Sequence, residues 1–314
     1  MERRRSMGRY ERLPGGAGAW VFAVLLAAGC PSGRTPDSDY LAEIQAWRAE
    51  REARLRREDG WLTLVALYWL EPGRHTFGSA PDNDLVLPEG AAPERAGWLE
   101  RDGDVVTVHA APGADVTVDG TPAAGQRLVS DAEGRPSLVR TGRITFYLIR
   151  RGDRLGIRAK DPESPTRREF RGLDYFPVDP RYRVTAVFEP YPSPKEVEVA
   201  TVAGTTDRML VPGVVRFRLD GRELTLEPWL ESPDAEEFFF VFRDATSGHE
   251  TYEASRFLYS ERVAEGPVVL DFNKAYNPPC AFTPFATCPL PPPGNVLPVR
   301  IEAGEKKYAG GTHR

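Results

Sequence analysis

The chain has 314 residues, 41% hydrophobic and 28% charged, with a formal net charge of −5. That length can bury two ordinary cores, and that composition excludes wholesale disorder. Glycine and proline, 29 each, together with many short apolar runs, point to a turn-rich β protein.

Residues 1–29 read as an export signal. Arg3, Arg4, Arg5, Arg9 and Arg12 precede an apolar run over 17–29 that is too short to span a bilayer as a stable helix. The run ends in Leu26-Ala27-Ala28-Gly29-Cys30, which resembles a bacterial lipobox. The resemblance implies cleavage before Cys30 and acylation at that residue with palmitate-type chains. The expected product is an exported lipoprotein held at the cell envelope, on the outer membrane or periplasmic face in a Gram-negative host. An ordinary secreted protein is the alternative. Five Arg and two Glu leave with the signal, a net of +3, so the mature chain moves from −5 to −8. An acidic chain without a basic block argues against nucleic acid as a partner and leaves the lipid anchor as the membrane contact.

Residues 30–37 are a tether, and a helix is expected over 38–60. Ser38 is placed as its N-cap, Tyr40, Ile44, Trp47 and Leu55 form a narrow apolar stripe, and Gly60 is the stop. The stripe suits docking at the edge of a domain. Residues 61–70 are almost wholly apolar and periodicity leaves their state open, though not their burial. From 73 to 160 short strands are expected at 74–78, 84–87, 97–101, 105–109, 116–118, 143–150 and 155–160. Asp102-Gly103, Asp119-Gly120 and Arg151-Gly152-Asp153 mark tight turns. The reading is a β-sandwich over 61–160.

A proline-rich connector spans 161–180, and a second β domain, barrel or sandwich, spans 181–308, with a tail at 309–314. Its strands are expected at 184–189, 196–202, 208–211, 214–219, 224–230, 238–243, 252–259, 268–272 and 299–303. Asp220-Gly221 is its clearest hairpin turn. The fold class is therefore mainly all-β with one N-terminal helix.

Two resemblances follow from particular residues. Gly73-Arg74-His75-Thr76-Phe77-Gly78-Ser79, Asn83 to Leu87 and Val116 to Gly120 resemble a forkhead-associated sandwich over about 70–150, yet no Ser-x-x-His element follows Leu87. The phosphothreonine function is accordingly not implied. Gly60-Trp61-Leu62-Thr63-Leu64, Lys160-Asp161-Pro162, the run from Phe170 to Asp179, Glu250-Thr251-Tyr252, Ser255-Arg256-Phe257 and the run from Asp271 to Glu305 resemble the bacterial and archaeal family called domain of unknown function 1684. That resemblance spans about 40–308. It implies a shared fold of two β domains and brings no activity.

The chemistry is densest from Asp271 to Asn295, where two cysteines and seven prolines share one loop. If strands 252–259 and 268–272 pair as a hairpin, Arg256 opposes Asp271, and Asn273 joins them on the polar face. A guanidinium fork there is either a small-anion site or a structural clamp. With Asn277 and Glu305, these residues form the candidate ligand site. Cys280 and Cys288 are a disulfide candidate; buried free thiols, a metal site, or Cys280 as a nucleophile with His249 as base are the other readings. Glu302, Glu305 and Asp271 supply the carboxylates for an acid–base alternative. No phosphate loop, dinucleotide glycine motif, Gly-x-Ser-x-Gly or His-Glu-x-x-His is present, and no cofactor or metal is called for. The leading expectation is a non-catalytic envelope module binding a small polar or anionic ligand in the C-terminal domain. A hydrolase using Cys280, or Asp271 and Glu305, is the second, and a structural or protein-interaction role the third.

Overall fold

A 19-residue helix, α1 (Ser38–Arg56), opens the folded chain. The structure, a computed structural model, describes residues 36–310. The expected signal segment, Cys30 and residues 311–314 lie outside the described residues. Asp37, and not Ser38, caps α1: its carboxylate accepts the N–H of Asp39 at 3.3 Å. Tyr40, Ile44, Arg51 and Leu55 are the buried positions, so an arginine shares the stripe that the apolar spacing marks. Gly60 is required where the chain turns back under the helix, because a Cβ there would stand 2.9 Å from the carbonyl oxygens of Arg54 and Leu55.

The first β unit holds eleven strands: β1 (Leu64–Trp69), β2 (Gly73–Gly78), β3 (Leu85–Val86), β4 (Gly97–Asp102), β5 (Val105–Ala110), β6 (Val116–Val118), β7 (Thr121–Pro122), β8 (Ala124–Arg127), β9 (Val139–Thr141), β10 (Ile144–Arg151) and β11 (Arg154–Lys160). They form two sheets, ordered β1-β11-β10-β9-β6-β7 and β3-β2-β4-β5-β8. Phe77, Leu99, Val106, Val108, Phe146 and Ile157 fill the core between them. The ambiguous apolar run resolves into a short 3-10 turn, Trp61–Thr63, followed by edge strand β1. Asp119 and Gly120 both take positive φ, 49° and 87°, as a two-residue hairpin turn demands.

A four-residue helix, α2 (Pro165–Arg168), leads into the second β unit. It holds β12 (Arg183–Ala200), β13 (Thr206–Leu219), β14 (Arg222–Leu226), β15 (Glu237–Phe242), β16 (Arg256–Glu261) and β17 (Gly266–Asp271). A four-stranded sheet, β14-β13-β12-β17, faces the pair β15-β16 across Phe188, Val215, Phe238, Phe240, Leu258 and Leu270. A further core, built on Trp229, Phe239, Val241, Phe257 and Phe282, receives Leu55 of α1. The described residues, 36–310, lie in one compact unit containing both β cores.

Two strand expectations fail. Residues 299–303 are no strand, and β16 does not pair with β17. β16 runs antiparallel to β15, and β17 pairs along the first third of β12, which sets Arg183 opposite Asp271. β12 and β13 each continue through a bulge where two shorter strands were expected, and the edge of β12 takes all of β17, while β16 is already paired along its length with β15. Phe257 is then free to turn its ring towards Phe239, at 4.8 Å between centroids.

Gly213 sits at that bulge, where an added Cβ would lie 2.3 Å from the Glu189 carbonyl oxygen and 2.7 Å from the Phe188 ring. Gly213→Ala is expected to lower stability by about 1–3 kcal/mol in denaturant titration. An unchanged midpoint would show that the bulge tolerates the methyl group.

Candidate functional site

The residues singled out in the sequence fall into three separate buried clusters. Arg256, only 1% exposed, lies 2.8 Å from Asp244 and donates to the carbonyls of Ile301 and Ala303. It pins the C-terminal segment to β16, and it does not meet Asp271. Asp271 accepts the Tyr40 hydroxyl at 2.9 and 3.0 Å and the Asn273 N–H at 3.1 Å. Asn273 in turn donates to Tyr40 and to the Asp179 carbonyl. Glu305 takes Arg51 at 2.8 Å and the Asn277 N–H at 2.8 Å, while the Asn277 amide donates to the Lys306 carbonyl and its carbonyl receives Arg51. The proposed anion site is therefore corrected. Each of these five side chains is held by protein partners, although the Arg256 Nε is itself buried without one, and two of the three clusters clamp α1 onto the second β unit.

The disulfide expectation is also corrected. Cys280 and Cys288 are both free and buried, with the Cys280 N–H donating to the Cys288 sulfur at 3.2 Å. Hydrogen bonding from Cys288 lowers the Cys280 thiol, and burial pushes Cys288 well above its ordinary range. Among the described residues no histidine bonds to Cys280; Tyr252 donates its hydroxyl to the Cys280 carbonyl. The nucleophile reading therefore lacks its base, and the carboxylate reading lacks free carboxylates. Among the described residues, no three His, Cys, Asp or Glu side chains gather as a metal site would need.

What the sequence reading missed is a cleft of about 2190 Å³ between the two β units. Trp47 of α1, Trp61, Phe239, Tyr259 and Tyr276 supply its apolar lining, and Asp271 also borders it. Trp61 is 39% exposed, a large ring left open to solvent. On the polar side stand Arg151 and Arg158 from the hairpin β10–β11, Asp131, Asp207 at the start of β13, and Thr287 from the proline-rich loop.

Strand alternation places Arg158. Leu155, Ile157 and Ala159 point into the sandwich core, so Arg158 faces the other side of the sheet, where Thr287 covers it. It is 2% exposed, its Nη2 donates to Thr287 Oγ1 at 3.0 Å, and its Nε is buried without a partner. Arg151 also donates to Thr287 Oγ1 at 3.0 Å, but it is paired with Asp131 at 2.9 Å. Asp207 stands 3.9 Å from Arg151, and burial raises its carboxyl above the ordinary value despite the attraction of Arg151 and Arg158. The available signal was a lone arginine inside the apolar strand Leu155-Gly156-Ile157-Arg158-Ala159.

The family described as "Protein of unknown function (DUF1684)" matches residues 168–306. A solution NMR structure of an uncharacterized protein of Haloarcula marismortui is 34% identical, over 48% of this chain and 84% of that one, with a TM-score of 0.41. A structure from a study of phosphothreonine-dependent FHA domain interactions is 19% identical, over 31% of this chain and 96% of that one. Its TM-score of 0.20 carries no argument. No curated protein matches.

The clamps give two predictions. Glu305→Ala strands Arg51 in the interior and is expected to cost about 3–5 kcal/mol, whereas Arg51→Met with Glu305→Leu costs less than the sum of the two single changes. Additive costs in a double-mutant cycle would contradict the clamp. Burial, only partly offset by the Tyr40 hydrogen bond, raises the Asp271 carboxyl. A raised folded-state value means that its contribution is full below the unfolded value, about pH 4, and is lost as pH rises through the folded value. Asp271→Asn should therefore be neutral or stabilising at neutral pH, and it should flatten the loss of stability on going up from about pH 4. A clear destabilisation at neutral pH would show that the ionised form holds the clamp.

Proposed function

The chain belongs to the DUF1684 family, and we propose that it is a non-catalytic binding module that takes a small polar or anionic ligand in the cleft between its two β units. One observation carries this reading: the cleft combines an exposed indole, Trp61, with a buried guanidinium, Arg158, that has no carboxylate within 4 Å among the described residues. Binding pockets take this form, apolar walls with a few convergent polar groups. The site moves from the C-terminal domain alone, where the sequence put it, to the junction of both β units. The export signal and the Cys30 lipobox support a place at the cell envelope with a lipid anchor as the membrane contact. With the carboxylates Asp271 and Glu305 paired and no histidine bonded to Cys280 among the described residues, the binding role is favoured over a hydrolase.

A metabolite thermal-shift panel on the full-length chain tests the reading. A ligand at ~100 times its Kd should raise the unfolding temperature by about 5 °C, and Trp61→Ala should abolish the rise. No shift across the panel, or equal shifts in both proteins, would place the function elsewhere.

A further inference from the structure

Three arginines are buried among the described residues, namely Arg51, Arg158 and Arg256. Arg51 has Glu305 at 2.8 Å and Arg256 has Asp244 at 2.8 Å. Arg158 has no such partner. An interior guanidinium left without an anion is costly, and a fold that matches two of three leaves the third to be explained.

Resting on the cleft reading, we propose that Arg158, Arg151 and Thr287 form an anion pole that holds the carboxylate of a small aromatic acid, with the acid's ring against Trp61. Thr287 supplies the first argument. Its Oγ1 accepts one N–H from Arg151 and one from Arg158, both at 3.0 Å, which uses both lone pairs. Its own proton is left to donate. The unpartnered Arg158 Nε, the remaining guanidinium N–H groups and this hydroxyl form a set of donors with no acceptor among them. A carboxylate matches such a set, because a planar fork and a hydroxyl can share its two oxygens.

Charge selects the class. Asp131 neutralises Arg151 at 2.9 Å, which leaves one guanidinium charge and the nearby Asp207. A monoanion fits that balance, whereas a phosphate dianion would add a second charge beside Asp131 and Asp207. The aromatic part follows from Trp61, whose ring lies 5.5 Å from the Arg158 guanidinium carbon and is 39% exposed in the same cleft. An indole left open beside a guanidinium is a stacking surface for a planar ring attached to the bound anion.

Asp207 provides the decisive control. If Arg158 were only its structural counter-ion, the two would have to be kept together. If the carboxylate of a ligand is the partner, Asp207 is a competitor.

The experiment is isothermal titration of the full-length chain with benzoate, acetate and inorganic phosphate, with unfolding temperatures recorded alongside. Benzoate is expected to bind about tenfold more tightly than acetate, and phosphate more weakly than benzoate. Arg158→Met should reduce benzoate affinity at least about tenfold without lowering the unfolding temperature, since it removes an unmatched buried charge. Asp207→Asn should raise the affinity. Benzoate binding that survives Arg158→Met overturns the anion pole but leaves the cleft reading standing if Trp61→Ala still abolishes it. An unfolding temperature that drops in both Arg158→Met and Asp207→Asn, with unchanged affinity, makes the pair structural and overturns the proposal. Tighter binding of phosphate than of benzoate overturns the assignment of ligand class.

Discussion

Charge taken out of water must be met by opposite charge or by a full set of hydrogen bonds, and this constraint organises the molecule. Glu305 meets Arg51, and that pair, with Asn277, fixes the helix α1 to the second β unit. Asp244 meets Arg256, which gathers the carbonyls of Ile301 and Ala303 and so holds a C-terminal segment whose β pairing, among the described residues, is confined to isolated bridges. Asp271 has no cation within hydrogen-bond reach among the described residues and relies on the Tyr40 hydroxyl and a backbone N–H. Each clamp joins residues far apart in the chain, and each uses a backbone that cannot move without stranding a charge.

The clamps also explain how an open cleft persists between two β units. The helix α1 forms part of its wall through Trp47, and α1 is held at both ends, by Tyr40 near its start and by Arg51 near its finish. The opposite wall is the β10–β11 hairpin, whose Arg151 and Arg158 both reach Thr287 in the proline-rich loop. That loop is therefore a bridge between the units. A wall built from stiff strands and a proline-rich bridge changes little on binding, so an entering ligand loses less to ordering the protein.

Much of the fold was legible in the sequence, and the site was not. The hairpins at Asp119-Gly120 and Asp220-Gly221, the strands of the sandwich and the edge-docked helix follow from local chemistry, since turn residues and period-two patterns act within a few positions. The pairing of β17 with β12 joins residues far apart in the chain, and no short window contains that information. The error there carried straight into function. The mistaken hairpin set Arg256 opposite Asp271, whereas the structure gives each a different partner. Asp271, Asn273, Asn277 and Glu305 stood out because they are polar residues in constrained backbone, but buried clamps and binding sites share that signature. Arg158 was passed over because one arginine in an apolar strand looks like an edge position until the opposite unit covers it.

Of the three buried arginines, Arg158 is the one without a carboxylate partner among the described residues, and nitrogen-15 NMR of the arginine Nε–H groups during a benzoate titration tests whether it is the one that meets a ligand. The Arg158 Nε–H resonance is expected to move and saturate while those of Arg51 and Arg256 stay fixed. A titration that leaves Arg158 unmoved, or that moves Arg256 in its place, would contradict it.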